Sequence, residues 1–118
     1  MKTLIIEDSD LIRNNLVEMF KEFENVSLLH AENGIDALKI FESENPEMVI
    51  LDLGLPYLSG FELLKKFKKI TPTSTIIVFT NHSDRYFSDI CKKHGADYFF
   101  DKSTQFDEFN SKIKELIK

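Results

Sequence analysis

One cysteine, no tryptophan, three prolines and four glycines stand in 118 residues. With Cys91 alone no internal disulfide can form, and a reducing compartment is the simplest setting for such a chain. Glycine, proline and serine nowhere gather into a linker, and neither repeats nor low-complexity tracts are present, so nothing in the sequence tethers one module to another. Long apolar runs are missing as well. The opening Met1-Lys2-Thr3-Leu4-Ile5-Ile6 reaches Glu7 and Asp8 after a few apolar residues, too few for a signal-peptide core or a membrane span, which predicts a cytoplasmic protein. Positive charge is also scarce. Fifteen basic residues against twenty acidic ones give a net charge of −5, which argues against nucleic acid or an anionic membrane as a direct partner.

What remains is the material of one globular domain over 1–118. The chain is 42% hydrophobic and 30% charged, within the range of folded domains, and leaves no room for a second domain of ordinary size. Short apolar runs at 4–6, 26–30, 48–51, 75–79 and 98–100 have strand length and suit strands buried on both faces. Between them the apolar residues recur at helical spacing: Leu11, Ile12, Leu16, Met19, Phe20 and Phe23, then Ile35, Leu38 and Phe41. Phe61, Leu64, Phe67 and Ile70 mark a third helix, Tyr86, Phe87 and Ile90 a fourth, and Phe106, Phe109, Ile113, Leu116 and Ile117 a fifth. The phenylalanines at these spacings are expected in the core. Ser9 or Asp10, Ser59, and Ser83 or Asp84 are placed to cap helix starts, and Gly95 to end the fourth helix.

Strict β-α alternation with short connections implies an α/β sandwich of three layers, with helices on both faces of a parallel sheet joined by right-handed crossovers. In such sheets the functional crevice lies beyond the C-terminal strand ends. One step past each strand stand Glu7-Asp8, Asp52, Thr80 and Lys102, while the second strand adds nothing ionic. If the first and third strands are neighbours, about 4.8 Å apart, three carboxylates share one rim. Two like charges about 4 Å apart repel by roughly 4 kcal/mol at an effective dielectric near 20, so a proton or a metal must intervene. All-oxygen donors favour a hard ion, and Mg²⁺ fits best because it shares its shell readily with phosphoryl oxygens. A lysine and a threonine at the same rim supply an ammonium and a hydroxyl for those oxygens, the parts of a phosphoryl-transfer site.

Taken singly, each residue has a plainer reading: Glu7-Asp8 as a solvated turn or cap, Thr80 as a β-branched strand residue, Lys102 as a surface lysine. Asp52 is harder to explain that way, because it closes a wholly apolar run. His30, His82 and His94 lack zinc-ligand spacing.

Glu7-Asp8, Asp52-Leu53-Gly54-Leu55-Pro56, Ser59-Gly60, Thr80, Gly95-Ala96-Asp97 and Lys102 together resemble the signature of response-regulator receiver domains, over essentially the whole chain. The resemblance implies a flavodoxin-like (βα)5 fold with strand order 2-1-3-4-5. It implies Asp52 as phosphoacceptor, Asp8 as a direct Mg²⁺ ligand, Glu7 as a second acid and Gly54 as a backbone-carbonyl ligand. Thr80 and Phe99 would be the switch pair and Lys102 the ammonium on the phosphoryl group. The implied partners are a sensor histidine kinase or histidine phosphotransfer protein upstream, and a downstream target or detached effector domain reading the fourth helix, fifth strand and fifth helix; a phosphorylation-linked homodimer stays open. Phosphorylation and dephosphorylation would be self-catalysed, so the chain is expected not to be a conventional enzyme.

Ser103 departs from the family, where many receivers carry a proline in a cis peptide; a serine holds a cis bond only at about 2.5–4 kcal/mol, which favours trans. Phe99 lacks the hydroxyl of the tyrosine common at its position, which favours an inward ring. His82 occupies a position that in the family influences phosphoryl lifetime. Two rivals are a pseudo-receiver, a phosphorylation-independent protein-binding module, which the intact acid, Thr and Lys set disfavours, and a phosphatase using Asp52, which lacks the length for a substrate cap. Nothing resembling a linker follows the fifth helix, an expectation for a free-standing protein over an excised receiver.

Overall fold

In the computed structural model, described for residues 1–117, strands and helices alternate without exception. They are β1 (Lys2–Ile6), α1 (Asp10–Phe20), β2 (Ser27–Ala31), α2 (Gly34–Glu44), β3 (Met48–Leu51), α3 (Gly60–Ile70), β4 (Thr75–Thr80), α4 (Arg85–Lys93), β5 (Tyr98–Asp101) and α5 (Phe106–Ile117). All five strands are parallel, in the order β2-β1-β3-β4-β5.

The three inner strands explain the continuous apolar runs. Every residue of β3 is buried, and successive side chains serve opposite faces. Leu4, Ile6, Val49, Leu51, Ile76 and Val78 join the cluster under α2, α3 and α4. Ile5, Met48, Ile50, Ile77 and Phe79 join the cluster under α1 and α5. Each cluster carries one stacked aromatic pair with centroids 4.1 Å apart, Phe41 on Phe67 in the first and Phe79 on Phe109 in the second.

Ser9, Ser59 and Asp84 cap α1, α3 and α4, accepting hydrogen bonds from the backbone N–H groups of Ile12, Glu62 and Phe87. Of the two pairs of alternatives for α1 and α4, then, Ser9 and Asp84 are the caps. Asn33 does the same for α2 through the N–H of Asp36, a cap the apolar pattern alone did not disclose. α4 ends in a paired closing turn: the N–H of Gly95 reaches the carbonyl of Lys92, and the N–H of Ala96 that of Cys91. Gly95 has φ of +107°, a conformation that costs a side chain dearly.

Several apolar residues at helical spacing, Phe87 and Phe106 among them, are not inside. Leu11 is 71% exposed, and Ile35, Ile70, Tyr86, Phe87 and Phe106 are also exposed. Leu11 and Ile35 stand in the first turns of their helices, and Phe106 opens α5, where a helix projects past the sheet rather than over it. Helical spacing identifies a face; it does not say how far the sheet beneath extends.

Candidate functional site at the C-terminal strand rim

β1 and β3 are hydrogen-bonded neighbours, with Ile6 opposite Leu51, so the residues that follow them emerge side by side. The N–H of Asp52 still donates to the carbonyl of Ile6 at 3.2 Å, and that of Lys102 to the carbonyl of Thr80 at 3.1 Å, extending the ladder one step beyond the strands. Glu7, Asp8 and Asp52 each bring a carboxylate oxygen into a cluster whose members all lie within 4.8 Å of one another. Glu7 and Asp52 are buried and Asp8 is exposed.

Asp52 is 6% exposed and its two oxygens have different partners. Oδ2 lies 3.1 Å from Lys102 Nζ. Oδ1 accepts from the Thr80 hydroxyl at 2.9 Å and from the Gly54 N–H at 3.3 Å. Lys102 Nζ also pairs with Glu7 Oε1, and the other Glu7 oxygen accepts from the Ser9 N–H at 3.1 Å. A buried carboxylate without such partners would be expensive.

Burial raises the Glu7 carboxyl above its ordinary 4.5, against the lowering pull of Lys102 and Ser9; the neighbouring Asp52 charge adds to the rise. Burial works to lower Lys102, but its bonds and attraction to Glu7 and Asp52 outweigh it and hold the ammonium above its ordinary 10.5. The rim thus keeps one firm cation among three acids.

Arg13 is the site residue the sequence reading passed over. Although on α1, it is buried, because Nη1 donates to the main-chain carbonyl of Glu7 at 2.9 Å while Nη2 pairs with Asp10 and, at 3.2 Å, with Glu32. It ties the loop carrying Glu7 and Asp8 to α1 and to the end of β2. This also corrects the expectation that β2 adds nothing ionic: the strand ends at Ala31 rather than at residue 30, and Glu32 follows. An arginine four residues after a cap is ordinary in sequence, and only its acceptors at Glu7, Asp10 and Glu32 reveal its part.

The loop after Lys102 is built without a cis bond; the described residues contain none. Asp101 accepts from the N–H groups of Ser103 at 2.7 Å and Thr104 at 2.9 Å, and from the Ser83 hydroxyl. Those bonds hold its carboxyl below its ordinary 3.8, the Ser83 bond contributing most. A proline at 103 could not make the first of them. Ser103 Oγ reaches Asn81 at 3.0 Å, joining this loop to the one after β4.

Phe99 packs against the cluster under α4, partly buried and turned inward. Gly60 has a role beyond the turn into α3: a Cβ there would stand 2.1 Å from the Asp52 carbonyl oxygen and 2.6 Å from Leu53 Cα. The helix start is pressed against the chain leaving β3 so closely that only hydrogen fits. His82 stands beside the rim, its N–H donating to Thr80 Oγ1 at 3.2 Å and its ring over Gly54.

The chain belongs to the response regulator receiver domain family, which it matches over residues 3–114. It is 33% identical over 116 residues to sporulation initiation phosphotransferase F of Bacillus subtilis (strain 168), covering 98% of this chain and 93% of that protein. It is 30% identical to a cyclic di-GMP phosphodiesterase of Thermotoga maritima, of which it spans only 31%. Among solved structures, the signal receiver domain of a DNA binding response regulator from Colwellia psychrerythraea 34H superposes with a TM-score of 0.91 at 25% identity, covering 99% of this chain and 98% of that one.

Proposed function

We propose that this domain accepts a phosphoryl group on Asp52 from the phosphohistidine of a sensor histidine kinase or a histidine phosphotransfer protein, with Mg²⁺ as cofactor. The observation that carries the reading is the setting of one buried carboxylate: Asp52 has an ammonium on one oxygen, a threonine hydroxyl on the other, and two further acids beside it.

One Asp52 oxygen attacks phosphorus in line, the P–N bond to imidazole breaks, and its electron pair stays on the imidazole nitrogen. Lys102 and Thr80 would donate to phosphoryl oxygens as charge gathers on them, a reading supported by their contacts with the two Asp52 oxygens. Glu7, Asp8, Asp52 and the Gly54 carbonyl are the residues to hold Mg²⁺, and their all-oxygen donor set suits that ion. Bound there, it would neutralise phosphoryl charge and relieve the crowding of the acids. Water later cleaves the acyl phosphate and returns the carboxylate. Both steps are self-catalysed, so the domain is a switch rather than a turnover enzyme.

Transmission runs through Thr80 and Phe99. A Thr80 hydroxyl drawn onto the phosphoryl group moves the loop after β4, and the Phe99 ring follows, shifting a pre-existing equilibrium of the α4–β5–α5 face toward the form that a downstream protein or detached effector domain reads. No described helix is long and apolar enough to cross a membrane, and a cytoplasmic setting accords with the buried free thiol of Cys91.

The test is incubation with Mg²⁺ and acetyl phosphate, followed by intact mass at short times. One phosphoryl adduct that requires Mg²⁺ and is missing from Asp52→Asn is expected. Sizing of the phosphorylated protein reports whether it also pairs two copies. No adduct, together with no beryllofluoride binding, would replace this reading with the phosphorylation-independent protein-binding module.

A further inference from the structure

Between the start of α3 and the outer side of α4 lies an open cavity of about 400 Å³, lined by Leu53, Phe61, His82, Tyr86, Phe87 and Ile90. Its walls are aromatic and on show. Tyr86 is 66% and Phe87 38% exposed, and the Tyr86, Phe87 and His82 rings meet edge to face. Phe61 is braced by the His94 ring on one side, and Lys65 lies over it, 5.1 Å from its centroid. Exposed aromatics around a pocket of this size are costly in a free domain and are the material of binding hot spots.

Charge is divided along the same line. From Gly60 to Gly95 there are seven basic and three acidic residues, net +4, whereas the rest of the chain has eight basic and seventeen acidic, net −9. Two of those three acids are engaged locally: Glu62 faces Lys65 at 3.5 Å, and Asp84 caps α4. Asp89 is the third. Lys65, Lys66, Lys69, Arg85, Lys92 and Lys93 are exposed. A groove with an apolar floor and a basic rim, on an otherwise acidic body, is complementary to a chain that is apolar on one side and acidic on the other.

We propose that the α3–α4 groove docks an acidic amphipathic helix of a partner protein, seating apolar side chains at i, i+3 or i+4 and i+7 along Phe61, Tyr86, Phe87 and Ile90, with its carboxylates over Lys65 and Arg85. This surface lies on the other side of α4 from the α4–β5–α5 face. The acidic remainder of the molecule repels RNA and anionic lipid, which disfavours those as occupants.

The test pans a display library of random 16-residue peptides against the full chain at physiological salt. Expected is enrichment of acidic sequences with helical apolar spacing, whose binding shifts the NMR signals of Phe61, Tyr86, Phe87 and Ile90. Affinity should fall about tenfold or more in Tyr86→Ala and in Lys65→Glu with Arg85→Glu, and fall further with added salt. Tyr86, Lys65 and Arg85 are at the surface, so an unchanged NMR spectrum elsewhere certifies the fold of these variants. Three results would overturn the proposal: no enrichment over a control variant that combines Tyr86→Ala, Lys65→Glu and Arg85→Glu, enriched peptides that are basic or that map to another face, or tighter binding of poly(U) RNA or phosphatidylglycerol vesicles to the same residues.

Discussion

Replacing Lys102 with methionine keeps the length of the side chain and removes the ammonium that bridges Glu7 and Asp52. At 3.1 Å and an effective dielectric near 20, the Lys102–Asp52 attraction alone is about 5 kcal/mol in gross terms. Deletion also refunds the desolvation of a nearly buried ammonium, so the net loss should be about 3 kcal/mol, the lower end of what breaking a buried pair costs. In urea, with a slope of about 1.5–2 kcal/mol per M for a domain of this size, the midpoint drops by about 1.5–2 M. Two further signs identify the cause. Mg²⁺ should restore more stability to the variant than it adds to wild type, because it supplies the missing positive charge. The deficit should also shrink as pH falls. Glu7 titrates above its ordinary 4.5, so the neutral acid is the form burial favours; that contribution is complete at low pH and lost as pH rises through the folded value. Urea melts of both proteins at pH 5 and 7, with and without Mg²⁺, measure all three. A loss under about 1 kcal/mol at pH 7, or an equal effect of Mg²⁺ on both proteins, would refute the view of the rim as acids held together by one cation.

Other outcomes follow from the same geometry. Arg13→Met leaves the Glu7 carbonyl without its donor and should cost about 2–4 kcal/mol in thermal or urea melts while weakening Mg²⁺ binding by calorimetry, since the acid-bearing loop loses its tie. Gly60→Ala drives a methyl into the backbone of Asp52 and Leu53 and should cost about 3 kcal/mol or more, whereas Gly54→Ala meets only the tip of the His82 ring at 3.0 Å and should cost about 1 kcal/mol or less. Cys91 is fully buried and its thiol is pushed up to about 11 from 9.0 by desolvation, so wild type should lose about 2 kcal/mol relative to Cys91→Ala as pH rises from 9 to 11, where the unfolded thiol ionises well ahead of the native one.

How much was legible depended on whether the signal was local. Apolar runs such as 48–51 announce themselves, because strands buried on both faces have no polar alternation to confuse with a loop. The carboxylates of Glu7, Asp8 and Asp52, the Thr80 hydroxyl and the Lys102 ammonium stand one or two residues past such runs, so the topology alone brings them together. Arg13 escaped because its acceptors come from three segments. Asn33 carries a readable signal, an amide three residues before Asp36 at a helix start, which apolar periodicity does not capture. Phe106 is exposed against expectation, and Leu11 and Ile35 stand at helical spacing yet face water, because periodicity gives direction and not coverage.

Strands buried on both faces have a weakness. Where one face is wet, slipping a strand by one residue turns its apolar side outward and is penalised at once. β3 gains no such protection, since Met48, Val49, Ile50 and Leu51 are apolar whichever way they face. The misalignment is instead punished at the ends. Sliding β3 by one place would carry Asp52 from its ring of partners into the hydrocarbon between α3 and β1, or pull it away from Lys102 and Thr80, and a carboxylate in either place is expensive. The charged residues of the rim therefore also proofread the alignment of the sheet: the proposed chemistry and folding fidelity draw on the same few charges.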